Sequence, residues 1–131
     1  MRRFIVMSLT CGTLMAFNAY SRQVAAQAPA KERAVVELTD KTRIAGVVLQ
    51  GKYIFEHDND KKARGEACLS IYTIKDGEPG DLVVSLHCQA VERPKARSLV
   101  VNVAMTTEPE VYKLTEIQFA GSTVGHRVPL G

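Results

Sequence analysis

Residues 67–88 read ACLSIYTIKDGEPGDLVVSLHC, two apolar and β-branched runs on either side of a dense turn signal. Ala67 to Ile74 and Leu82 to Cys88 have strand character, and Lys75-Asp76-Gly77-Glu78-Pro79-Gly80 interrupts it. The spacing predicts an antiparallel hairpin centred on Glu78, in which Cys68 faces Cys88, Tyr72 faces Val84 and Ile74 faces Leu82. Leu82, Val84, Leu86 and Cys88 then share one face, an apolar side for a core, while His87 points to the other, near Leu69, Ile71 and Val83. Directly opposed residues have Cβ atoms about 4.5–5.5 Å apart, so a slight twist brings the two cysteines within disulfide reach. Such a bond would stabilise a small domain by on the order of 3 kcal/mol.

Working toward the N-terminus, Asp58 to Gly65 breaks the strand pattern; Asp58 is placed to cap one helical turn through Lys61, Lys62 and Ala63, with Gly65 as terminator. Asp58 and Asp60 raise calcium, but the EF-hand pattern fails. Lys62 stands at the third ligand position, Ala63 where Gly is required, and Leu69 where a bidentate Glu belongs. Lys52 to His57 alternates, with Tyr53, Phe55 and His57 on one face and Ile54 and Glu56 on the other. Before it, Gln50-Gly51 reads as a turn after the β-branched run Ile44 to Leu49, and Val35, Val36 and Leu38 belong to a further short strand. Residues 27–33 read as a flexible start.

Toward the C-terminus, Leu99, Val101, Val103 and Met105 alternate along another strand. Residues 110–119 carry both signals. Thr107 and Glu110 have capping-box spacing ahead of Val111, Leu114 and Ile117, but Tyr112, Thr115, Ile117 and Phe119 favour a strand. Strand is the preferred reading. Residues 121–131 read as a loosely attached tail, held near Val128. The fold expected is all-β: an antiparallel β-sandwich or small barrel of six to seven strands with one disulfide, spanning 34–120.

The start of the chain gives an address. Met1-Arg2-Arg3 precedes the uncharged apolar run Phe4 to Phe17, and small residues follow at Val24-Ala25-Ala26. This is the pattern of a signal peptide over 1–26, with cleavage after Ala26 or within the next few residues, up to Ala30. The apolar run is shorter than the roughly 20 residues a membrane-spanning helix needs. Cys11 lacks the Leu three residues before it that a lipoprotein signal requires. The net charge of +3 rests on Arg2, Arg3 and Arg22; the rest of the chain carries 14 basic and 14 acidic side chains. The mature protein is therefore neutral, expected in the periplasm or outside the cell, with no transmembrane segment once the leader is removed. Cys68 and Cys88 remain as an even pair in an oxidising compartment, which favours a disulfide.

Neutrality and few aromatics argue against nucleic acid. Arg93, Lys95 and Arg97 cluster around Pro94, but Glu92 adjoins them, and an edge strand protected by charge accounts for the group. No Gly-x-Ser-x-Gly elbow is present and no carboxylate pair stands out, so no catalytic residue is nominated and the protein is not expected to be an enzyme. Histidine is the commonest transition-metal ligand, and His57, His87 and His126 from separate segments would form a zinc or copper site if they converged. No local spacing links them, and the plainer expectation is three separate imidazoles. Cys68 and Cys88 would join as soft ligands if reduced.

Two stretches carry a resemblance. Tyr53-Ile54-Phe55-Glu56-His57-Asp58 leads to Gly65-Glu66-Ala67-Cys68 and Leu86-His87-Cys88; Gln118-Phe119-Ala120-Gly121-Ser122-Thr123 precedes His126, Val128 and Pro129. Together they resemble a group of small exported bacterial proteins of uncharacterised function. The resemblance implies export and no particular activity, and it places all three histidines inside the matching stretches. The function expected is a non-enzymatic exported β-domain that binds a protein or small ligand or serves a structural role, with metal binding through His57, His87 and His126 as the alternative.

Overall fold

The computed structural model describes residues 29–129. The expected signal peptide lies outside the described residues. The elements run β1 (Lys31–Ile44), β2 (Val47–Asp58), α1 (Asn59–Ala63), β3 (Leu69–Lys75), β4 (Glu78–Leu86), β5 (Gln89–Glu92), β6 (Val100–Met105), β7 (Val111–Gln118) and β8 (Val124–Arg127). Among the described residues no helix is long and apolar enough to cross a membrane.

The all-β reading holds at the level of strands, and the architecture corrects it. The eight strands form one open mixed sheet in the order β4-β3-β2-β1-β7-β8-β5, with β6 also paired to β7. It is neither a two-sheet antiparallel sandwich nor a closed barrel. The cause is β1. Its first part pairs antiparallel with β2, the register shifts between Leu38 and Thr42, and Lys41–Arg43 then run parallel to Val111–Lys113 of β7. A bulge of this kind bends a strand, letting one long strand serve two neighbourhoods. Parallel pairing between segments so distant in sequence leaves no local turn signal.

The hairpin over Cys68 to Cys88 is present, with a different register. Leu69 pairs with Leu86, Ile71 with Val84, Tyr72 with Leu82 and Lys75 with Glu78. The turn is therefore Asp76-Gly77, whose φ values of 52° and 78° suit a two-residue hairpin loop. The expected centre at Glu78 missed this because Pro79 and Gly80 also signal a turn; they lie in the strand instead, beside register shifts. A Cβ at Gly80 would stand 2.6 Å from Thr73 Oγ1, so any larger residue there would have to displace that hydroxyl. A second turn of the same kind, Ala45-Gly46 with φ values of 48° and 84°, splits the run expected as one strand from Ile44 to Leu49. Gln50-Gly51, expected as a turn, lies inside β2, where Gly51 opposes Leu38 at the β1 register shift.

Other expectations resolve simply. Asp58 caps α1, its carboxylate accepting from the backbone N–H groups of Asp60 and Lys61 at 2.9 and 3.1 Å. Residues 110–119 contain strand β7. Within the segment expected as a flexible start β1 begins at Lys31, and within the expected tail Val124–Arg127 forms β8, paired with β5 and β7. Gln118 draws the C-terminal segment in, its side-chain amide donating to the carbonyls of Pro94 and Ser122, both at 2.8 Å. Arg93 of the basic cluster makes a forked pair with the buried carboxylate of Glu116 at 2.8 and 3.0 Å.

Residues directly opposed in a sheet share a face. Ala34, Val36 and Leu38 of β1 therefore lie with Tyr53 and Phe55 of β2, and continue into Leu69, Ile71 and Leu86. These meet Leu114, Ile117, Phe119 and Val128 in one hydrophobic core. Burial of this apolar surface is the main force holding the sheet in its curled form.

Candidate functional site

Two rows of opposed residues end at the site. The first runs Glu32, His57, Leu69 and Leu86 across β1 to β4; the second runs Ala90, His126, Ile117 and Val101 across β5, β8, β7 and β6. In a flat sheet β2 and β8 would stand three strand spacings apart, roughly 14 Å. Instead the His57 and His126 rings stack with centroids 3.7 Å apart and planes 26° apart, so the sheet curls until the rows face each other. Phe119 closes one side, its ring edge-on to His126 at 5.8 Å.

Cys88 completes the cluster, and Cys68 packs against it. Cys68 precedes β3 and Cys88 follows β4, so the hairpin delivers both to one end. Their Sγ atoms are 2.6 Å apart, longer than a formed disulfide bond of about 2.05 Å. Cys88 Sγ lies 3.9 Å from His126 Nδ1, and one ligand atom each from His57, Cys88 and His126 falls within 4.8 Å of the others. Glu32 Oε1 approaches His126 Nε2 from the other side at 3.5 Å.

The electrostatics are those of a buried cluster. His57 is 0% exposed and His126 2%. Neither nitrogen of His57 nor Nε2 of His126 has a hydrogen-bond partner among the described residues. Burial pushes both imidazoles down from 6.5 to about 4; the Lys62 charge adds to this for His57, and His57 then Lys62 for His126. Burial pushes the Cys88 thiol up to about 12, helped by its hydrogen bond with Cys68. Burial also raises the Glu32 carboxyl above its ordinary value, against a lowering contact with Ser122. Uncharged imidazoles are the form in which histidine binds metals, and a bound cation deprotonates a coordinating thiol.

Of the three histidines, His57 and His126 come together, with Cys88 as the third member of the group, whereas His87 is exposed and apart from them. Alternation explains this: Leu86 and Cys88 point inward, which turns His87 out. The hairpin reading, too, turns His87 to the face away from Cys88 and the expected core. Glu32 was missed because it fell in the segment read as a flexible start; its pairing with His57 is visible only once β1 is known to begin at Lys31. For His126, the inward alternation of Val124, His126 and Val128 was the available signal. Compared with known proteins, the chain matches no family model, no curated protein and no solved structure.

Proposed function

We propose that this protein is an exported, non-enzymatic β-domain whose working part is a buried transition-metal site. His57 and His126 would bind through imidazole nitrogens and Cys88 through its thiolate. The observation that carries the reading is His57: fully buried, with both nitrogens unpartnered, against a second buried imidazole. Each buried polar atom left without a partner costs about 1–3 kcal/mol, and a metal ion would recover that cost at the atoms it binds. Imidazole with thiolate suits zinc or copper over calcium or magnesium. A binding role is favoured over catalysis because the ligands are enclosed, as in structural sites, whereas catalytic sites keep a position open to substrate. Export is supported by the leader, and a neutral mature chain gives no support to a nucleic-acid partner.

The test uses protein purified without a polyhistidine tag, reduced and then loaded with zinc or copper. Elemental analysis after desalting should find one ion per chain, and cobalt in its place should give a thiolate charge-transfer band. His57→Ala should lose the ion and His87→Ala should keep it. No retained ion in the wild type would reject the reading and leave a purely structural β-domain.

A further inference from the structure

We infer that Cys68 is the fourth ligand of this site, and that its bond to Cys88 is the alternative to metal, so that thiol oxidation releases the ion. The inference rests on the metal reading above and adds a residue and a control to it.

Cys68 is 2% exposed, and its carbonyl accepts from the Asp58 N–H at 2.9 Å, which fixes its backbone one residue from His57. Its Sγ stands 2.6 Å from the Sγ of Cys88; the mutual 4.8 Å set is His57, Cys88 and His126, so Cys68 reaches the ion by a small shift of its side chain alongside Cys88. Two sulfurs and two imidazoles make the Cys₂His₂ set that closed zinc sites use. With metal–sulfur bonds of about 2.3 Å, tetrahedral geometry places the sulfurs roughly 3.8 Å apart. A disulfide instead needs about 2.05 Å. The thiolate is the metal ligand, so a sulfur held in a disulfide is lost to the ion. One pair of side chains thus serves two states that exclude each other. The imidazoles remain in both, but two nitrogens alone make a much weaker site.

The step balances with a small-molecule disulfide of the glutathione class as oxidant. The Cys88 thiolate attacks one sulfur of the oxidant, breaking its S–S bond and releasing the first thiolate. The Cys68 thiolate then attacks Cys88 Sγ in the mixed disulfide and expels the second. Two electrons pass from the cysteines to the oxidant, the two released thiolates take protons from solvent, and the metal ion leaves as a free cation.

Zinc-loaded wild-type protein is treated with excess oxidised glutathione in the presence of a zinc-binding dye, and intact mass is followed. The expected result is one zinc released for each pair of thiols lost, with a final mass two hydrogens below that of the reduced chain. Zinc retained in protein whose mass shows the intramolecular disulfide would overturn the inference while leaving the His57 and His126 site standing. Failure of the reduced protein to take up zinc at all would overturn the metal reading itself, so the two failures differ. Cys68→Ser should weaken zinc binding by at least about tenfold. An unchanged affinity in a folded variant would remove Cys68 from the ligand set. The wild-type comparison decides the control step even if that variant does not fold.

Discussion

The imidazole of His57, at the end of β2, stacks on the imidazole of His126, in β8, with centroids 3.7 Å apart. Both rings are buried, and both are held neutral. A stacked pair of imidazoles with three of its four nitrogens unpartnered among the described residues is costly to build into a core, and its protonation has a consequence for stability.

The metal-free protein should lose stability as pH falls from about 6.5 to about 4. Both histidines have a folded pKa of about 4 against an ordinary value of 6.5, so in this window the unfolded chain binds more protons than the folded one. The contribution of each neutral ring is fully present above pH 6.5 and is withdrawn as pH drops toward 4. Each pKa unit corresponds to about 1.4 kcal/mol, and the two rings oppose each other's protonation, so the combined loss is several kcal/mol. Urea denaturation at pH 7, 5.5 and 4 measures it. His57→Phe should flatten much of the slope; a wild-type curve already flat over this range would contradict the burial described.

Metal should protect the folded state. An ion that binds only the folded protein stabilises it by about 2.7 kcal/mol at a hundredfold excess over Kd. Thermal unfolding of reduced protein with and without zinc should show a rise in Tm. The rise should survive His87→Ala and vanish in His126→Ala. Equal shifts in all three proteins would point to binding elsewhere, for instance at surface carboxylates.

How far the sequence leads depends on the range of the interaction being read. The alternation of Tyr53, Phe55 and His57 puts His57 on the core side without reference to any other segment, and the Cys68 to Cys88 spacing marks the hairpin. The Asp58 cap and the helical turn after it are equally local. What is not local is β1, whose residues Lys41–Arg43 pair in parallel with Val111–Lys113; neither partner carries a mark of the other. That pairing turns a sandwich into a curled single sheet, brings β8 within reach of β2, and decides which third side chain meets the histidine pair. The expected tail was misread for a related reason. Val124–Arg127 is only four residues long and gains strand character from β5 and β7 on either side.

The Ala45-Gly46 turn offers a gain in stability. Ala45 holds φ at 48°, in the left-handed region, where a Cβ costs roughly 1–2 kcal/mol. Asparagine tolerates that conformation better, and Asn-Gly is the preferred pair for this two-residue loop. Ala45→Asn should therefore stabilise the protein by up to about 1 kcal/mol with no change in metal binding. Paired urea and zinc titrations check both halves. A destabilised variant would show that the loop is not of this type.

Glu32 should matter to the metal without touching it. Its Oε1 stands 3.5 Å from His126 Nε2, while Nδ1 of the same ring faces Cys88 Sγ at 3.9 Å. A ring that binds metal through Nδ1 carries its proton on Nε2, and the Glu32 carboxylate, drawn from 3.5 Å into hydrogen-bond contact there, would fix the tautomer and strengthen the donor. Loss of such a partner typically costs tenfold to a hundredfold in affinity. Glu32→Gln keeps the shape but offers a neutral acceptor, so zinc affinity should fall by about tenfold at pH 7. The pH dependence of binding separates this role from simple packing. In the wild type the carboxylate assists the ring at neutral pH and loses that power as it protonates; its pKa is raised by burial, so the assistance fades on acidification. The ratio of wild-type to variant affinity should therefore shrink as pH falls. A ratio that stays constant with pH would mean that Glu32 only fills space beside His126.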